Sequence, residues 1–259
     1  MRWRWISEKG IAMNTNQNEE DLCGKATIFV SHAWRYRTAD FLSCIASLDE
    51  VDASLDEVDN EYFWIDALTV NQFHNQHGFD WWSRTFSQCV KKIGKTILVL
   101  APYSNPIPLT RAWCLFEIFC TYQTNSKFEI VMGRGESSEF RSALRSEQFD
   151  FNTWISNIDL SKAEAQDPSD LHNILTVIKS ELPGGVHELN KRVIAMLRSW
   201  LDKQTSKIGP SLNMARTLRQ QGEYDRAERI SRNLLSDKSL SLEQHFQAKG
   251  ELALTLLEQ

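Results

Sequence analysis

Apolar positions along the chain follow two different periods. Residues 26–30 (Ala-Thr-Ile-Phe-Val) form a short apolar run that ends at Ser31, the pattern of a buried strand. From Thr38 onward, Phe41, Leu42, Ile45 and Leu48 recur at helical spacing. Residues 62–65, 96–100 and 128–132 repeat the strand pattern. Between these runs fall a helix carrying Trp82, Phe86, Cys89, Val90 and Ile93, and a second helix over 110–122. Strands apolar on both faces, alternating with helices, predict an α/β fold with a parallel sheet covered on both sides. Beyond Met132 the period is helical throughout. Helices are predicted over 138–147, 168–181, 186–202, 210–221, 223–236 and 241–258, with Pro183-Gly184-Gly185 separating two of them.

Two stretches stand outside this alternation. Residues 1–24 are polar and aperiodic and are expected to form a flexible leader. Residues 47–52 and 54–59 are a tandem duplication, Ser-Leu-Asp-Glu-Val-Asp written twice. Leu48, Val51, Leu55 and Val58 step by three and four, so the duplication lengthens the preceding helix, and its acids form a solvated face.

Composition narrows the function classes. At 259 residues the chain holds one large domain or two modest ones. Nine Trp, thirteen Phe and five Tyr supply enough surface to bury that disorder is excluded as the main state. A formal net charge of −5 argues against non-specific nucleic-acid binding, which needs a basic footprint. No apolar run approaches the roughly 20 residues that span a bilayer, and no apolar segment follows the N-terminal arginines as in a secretory signal. The five cysteines (23, 44, 89, 114 and 120) form no CxxC pair. A reduced, cytoplasmic protein without membrane association fits these features.

Candidate chemistry follows from topology. In an open parallel sheet, ligands bind beyond the carboxyl ends of the strands, where the strand order reverses. If the four strands lie in the order 2-1-3-4, that crevice opens between the first and third. Ser31, His32, Trp34 and Arg35 then follow the first strand, Tyr103 and Ser104 follow the third, and Asp66 ends the second. The helix over 110–122 adds Trp113 and Glu117. Glu117 is the only charged residue between Ala112 and Tyr122, in a helix apolar all round. A buried carboxylate needs a cation, donors or a proton. Two readings stay open: a structural ion pair with Arg111 or Arg84, or a site carboxylate held beside a ligand. Other signals are weaker. Gly94-Lys95-Thr96 precedes a strand and lacks the first glycine of a phosphate-binding loop. His74 and His77 with Asp80 read as a polar loop, so no metal site is assigned.

The strand Ile28-Phe29-Val30-Ser31, the strand end Trp64-Ile65-Asp66, the strand Ile97-Leu98-Val99-Leu100 and above all Trp113-Cys114-Leu115-Phe116-Glu117-Ile118 resemble a Toll/interleukin receptor (TIR) domain. WCxxE[LI] is the specific element of this resemblance, which covers about residues 25–132. Ser31 is followed here by His32-Ala33-Trp34-Arg35, where the family carries an aromatic residue and Arg directly after Ser. The resemblance implies a flavodoxin-like sheet, self-association through the TIR-like domain, and a role in signal transduction of the kind found in innate immunity. Some members cleave NAD at the nicotinamide–ribose bond, and the glutamate they use matches Glu117. On that reading NAD is a substrate, no resident cofactor is needed, and activity requires assembly. Ser31, His32, Trp34, Asp66, Tyr103 and Trp113 are then the candidate NAD-binding residues, with Trp34 and Tyr103 stacking on rings.

Near the end of the chain, residues 215–221 are echoed by 253–259 at an offset of 38. With Gly222, Tyr224 and Ala227, residues 215–235 resemble a tetratricopeptide repeat. The expected organisation is a leader (1–24), a TIR-like α/β domain (25–132), a helical extension (133–208) and a truncated tetratricopeptide-type repeat (209–259), the chain being a piece of a longer protein. Two functions compete: an NAD-hydrolysing signalling enzyme, and a non-enzymatic assembly module whose helical repeats bind a protein or peptide. They separate on whether Glu117 faces an open crevice in aromatic company or an arginine in the core.

Overall fold

The computed structural model describes residues 11–13, 23–47, 62–69, 78–146, 155, 158–208 and 210–259. Among these residues the strands are β1 (Ile11–Met13), β2 (Cys23–Lys25), β3 (Ile28–Ser31), β4 (Phe63–Trp64), β5 (Lys95–Val99) and β6 (Lys127–Val131), in one sheet of order β2-β1-β4-β3-β5-β6. The four strands β4-β3-β5-β6 are mutually parallel, an α/β arrangement in the 2-1-3-4 order on which the crevice was located. β1 and β2 pair antiparallel and extend the β4 edge through Met13 opposite Phe63. The stretch expected to be a loose leader therefore contributes sheet.

Side chains alternate across the sheet because strand residues point to opposite faces in turn. Ile28 and Val30 of β3 join Ile97, Val99 and Val131 in a core closed by Phe41 and Cys44 of α1 (Thr38–Ala46). Phe29 and Ser31 point to the opposite face. There the Phe29 ring stacks on Trp64 at 4.7 Å and meets Phe86 edge-on at 6.0 Å. Phe86 belongs to α3 (Phe79–Ile93), which follows the short α2 (Asp66–Thr69). Gly94, at φ +77°, closes α3 in the left-handed conformation that favours glycine and returns its N–H to Val90 O at 2.9 Å. α4 (Ala112–Gln123) covers the same face, where Thr121 Oγ1 donates to Thr96 Oγ1 at 2.9 Å. Helices thus lie on both faces, as four doubly apolar strands require.

The chain divides into two compact units, 1–134 with 159–193 and 135–158 with 194–259. The helical pattern beyond Met132 suggests a single extension over 133–208, yet 159–193 returns to the sheet-bearing unit. Backbone bonds hold it there: Ala112 N donates to Glu164 O at 2.9 Å, and Glu164 N to Thr110 O at 2.7 Å. This segment leads into α6 (Pro168–Glu181), capped by Asp167 through Ser169 N at 2.8 Å. α5 (Arg134–Arg145) comes before it, and α7 (Gly185–Ile208) follows.

In the second unit, Phe140 stacks on Trp200 at 5.2 Å. α8 (Leu212–Gln220), α9 (Tyr224–Ser236) and α10 (Leu242–Glu258) pack on one another, the first two joined by a tight turn at Gly222. Most of the tandem duplication, His74, His77 and Trp154 lie outside the described residues. Among the described residues no helix is long and apolar enough to cross a membrane, and Cys44, Cys89, Cys114 and Cys120 are free thiols.

Candidate functional site

A crevice of about 190 Å³ opens at the carboxyl ends of β3 and β4. His32, Ala33 and Trp34 enter it from the loop after β3, because the strand ends at Ser31 and the chain turns through Tyr36 N to Ala33 O at 3.1 Å. Asp66 comes from the start of α2, two residues past the end of β4, and α4 supplies Trp113, Cys114 and Glu117. Trp82 and Phe86 of α3 form an aromatic wall, with Phe86 5.4 Å from Trp113. Arg111, Gln166 and Asp170 complete the rim.

Asp66 organises the mouth. Its Oδ2 accepts from Trp34 Nε1 at 2.7 Å, and its Oδ1 accepts from Ala67 N at 2.7 Å and lies 3.6 Å from His32 Nδ1. The His32 ring leans on Phe41 at 4.6 Å, and its carbonyl accepts from Cys114 Sγ at 3.3 Å. The loop after β3 is thereby tied to α2 and α4 together. Trp113 is fixed in turn, donating Nε1 to Asp170 Oδ2 at 2.9 Å.

Glu117 is buried, with 6% of its surface exposed. Its Oε2 is buried without a hydrogen-bond partner, and no ion pair reaches it among the described residues. Of the two expected cationic partners, Arg84 is exposed and Arg111 turns to Glu164 at 3.7 Å. Burial first, and the Asp66 charge second, hold the Glu117 carboxyl well above the usual carboxylate range, against the opposing influence of the nearby Ser31 hydroxyl. Burial likewise pushes the Cys114 thiol up, so it is no ready nucleophile. Cys120 is raised for the same reason.

Of the residues singled out in the sequence, His32, Trp34, Asp66, Trp113 and Glu117 come together around the crevice. Ser31 does not line it. It is fully buried beneath, on the sheet face toward α4 where strand alternation puts it. Tyr103 does not line it either. The loop after β5 closes on itself through Asn105 N to Pro102 O at 3.2 Å and Ile107 N to Ala101 O at 3.3 Å, which leaves Tyr103 off the crevice wall. Trp82 and Phe86 are added by the structure; in the sequence they read only as an apolar stripe. Gln166 and Asp170 carry no sequence signal, since only the returning segment brings them here. Among the described residues no group of three His, Cys, Asp or Glu side chains could hold a metal ion.

Compared with known proteins, the chain matches no family model, no curated relative and no solved structure.

Proposed function

We propose that the crevice binds NAD and that Glu117 assists hydrolysis of its nicotinamide–ribose bond, within a TIR-like, cytoplasmic signalling protein that acts as an assembly. The observation that carries this reading is the buried Glu117 carboxyl, turned to an open crevice in aromatic company with its Oε2 unpartnered and no arginine against it. Burying such a group costs stability unless it is compensated, and strongly perturbed carboxyls in clefts concentrate at functional sites.

The chemistry fits the residues. As the C1′–N bond breaks, its electron pair leaves with nicotinamide, a neutral ring that needs no proton, and positive charge grows on the ribose. Carboxyl oxygens beside the ribose stabilise that charge or orient its hydroxyls, as in glycoside cleavage. Water then bonds to C1′ and gives up a proton, for which ionised Glu117 is the acceptor. The entering pyridinium is cationic, and a cation beside Glu117 favours its ionised form. Binding therefore counteracts the burial that disfavours the ionised form. Trp34 and Trp113 are the candidate ring platforms, each fixed through its indole N–H by an aspartate.

The second reading, a non-enzymatic assembly module with tetratricopeptide-type repeats that bind a protein or peptide, draws on α10. Leu242, Phe246, Leu254, Leu256 and Leu257 of that helix are all exposed. The deciding experiment is NAD consumption with product analysis, on concentrated and crowded protein. Wild type is expected to release nicotinamide and ADP-ribose, and Glu117→Gln to lose on the order of a hundredfold or more in rate. Absence of turnover in the crowded wild type leaves the assembly reading.

A further inference from the structure

The crevice alone is too small for a dinucleotide. Its roughly 190 Å³ falls below the range of about 300–1,000 Å³ typical of ligand pockets. A second groove of about 590 Å³ continues from it, sharing Trp34, Arg111 and Gln166 as a common wall. Its own charged residues are Arg35, from the loop after β3, and Glu164, from the returning segment.

Arg35 Nη2 and Arg111 Nη1 both approach the same oxygen, Glu164 Oε2, at 3.2 and 3.7 Å. Two guanidiniums on one carboxylate oxygen leave one positive charge unmatched. Glu164 is not a passing surface contact, because its N–H and C=O are both bonded to the start of α4, at Thr110 O and Ala112 N. Arg111 is largely covered, with its side chain 20% exposed, while that of Arg35 is 65% exposed. An exposed ion pair of this kind adds little to stability, so Arg35 exchanges Glu164 for a better anion at small cost. The N-terminus of α6 offers no competing anion site, since Asp167 already caps it.

Position supports a phosphate in particular. Arg111 immediately precedes α4, and Glu117 lies six residues further along. At the rise of an α-helix that is about 9 Å between backbone positions, a gap that the long Arg111 side chain can narrow toward a ribose 5′ phosphate. A ligand with its glycosidic carbon near Glu117 would bring its 5′ phosphate into the reach of Arg111. Guanidinium forks match phosphate oxygens in pairs, which a single carboxylate oxygen cannot do.

We propose that Arg35 and Arg111, gathered on Glu164, form a phosphate-recognising subsite, and that the ligand class of the combined site is a 5′-phosphorylated nucleoside. The subsite is built wholly from one chain, the returning segment supplying the carboxylate on which the two arginines rest until an anion displaces it. It deepens the NAD reading and rests on it for the placement of the ribose, but phosphate recognition is measurable without turnover.

The test is calorimetric titration of the full chain with ADP-ribose, AMP and adenosine, at low and high salt. ADP-ribose and AMP are expected to bind more tightly than adenosine, with an advantage that shrinks as salt rises. Arg111→Gln should weaken AMP by roughly tenfold to a hundredfold, the loss of a hydrogen bond to a charged group, and Arg35→Gln should weaken it less. Glu164→Gln leaves both guanidiniums their full charge and should bind AMP at least as tightly as wild type. If Glu164→Gln weakens AMP as much as Arg111→Gln, the loss comes from disturbing the start of α4 and the subsite is overturned. Equal binding of AMP and adenosine, or no binding of any probe, overturns it as well. ADP-ribose binding without NAD turnover would refute cleavage and keep the subsite. NAD turnover with an unchanged KM in Arg111→Gln would do the reverse.

Discussion

The indole Nε1 of Trp34 donates to Asp66 Oδ2 at 2.7 Å, while 58% of the Trp34 surface remains exposed. A large apolar ring held in water by one directional bond is not core packing. The bond fixes its orientation, and the ring forms one wall shared by the crevice and the groove beside it. Asp66 thus sets both the position of a platform and the charge felt by Glu117.

Replacing Trp34 by Phe keeps an aromatic face and removes the N–H. Exposed substitutions usually change stability by no more than about 0.5 kcal/mol, so the melting temperature should hardly move. Losing a bond to a charged acceptor should raise KM for NAD by roughly tenfold. Steady-state kinetics alongside a thermal melt check this. A lowered melting temperature with unchanged KM would make the tie to Asp66 purely structural.

Asp66→Asn removes the charge and keeps an acceptor for the Trp34 N–H. Burial still raises the Glu117 carboxyl, but the second cause of its elevation is gone. Glu117 should therefore ionise at lower pH in the variant. Carbon-detected NMR titration of labelled glutamate carboxyls reads the midpoint directly. An unmoved midpoint would take Asp66 out of the electrostatics of the site.

In the second unit, Glu251 of α10 is 4% exposed and meets Arg219 Nε at 2.5 Å and Arg216 Nε at 3.6 Å. Removing Glu251 takes the buried carboxylate away from Arg219, which keeps its bond to Glu258 at the surface. Glu251→Ala should destabilise this unit by about 1–3 kcal/mol, the loss of a hydrogen bond between charged groups. Hydrogen exchange should show faster opening of α8 and α10 with the sheet amides unchanged. Retained protection in α8 would show the pair to be dispensable.

Much of this architecture is written locally. Three of the four parallel strands, β3, β5 and β6, are four or five residues long, and the apolar runs that contain them are legible in the sequence. The helix over 168–181 is marked at its start by Asp167-Pro168, a cap followed by a residue suited to the first turn. β1 and β2, three residues each, are too short to show a period. The return of 159–193 to the sheet depends on the backbone bonds of Glu164 and on Trp113 meeting Asp170, contacts between residues far apart in the chain. Glu117 stood out as one carboxyl in an apolar helix. Tyr103 shows the limit of reasoning from strand ends, because the turn that follows a strand decides whether a side chain reaches the site.

The stability of the protein depends on pH through Glu117. In the unfolded chain the Glu117 carboxyl ionises near its ordinary value of about 4.3, whereas in the folded protein burial and Asp66 delay ionisation to well above that range. Between the two values the folded state binds more protons than the unfolded state, so stability attributable to this group falls as pH rises. Below the unfolded value both states are protonated and the group has no effect. Above the folded value the loss is complete and constant. Glu117→Gln has the shape of the protonated acid and no proton to lose. Its melting temperature should match wild type near the lower end of the window and exceed it increasingly as pH rises through the folded value, while NAD turnover is lost throughout. Paired melts of the two proteins from the ordinary carboxyl value upward measure the difference. If wild type is the more stable protein at every pH, Glu117 is an ionised group with a partner that contributes to the fold, and it is not a strained site carboxyl.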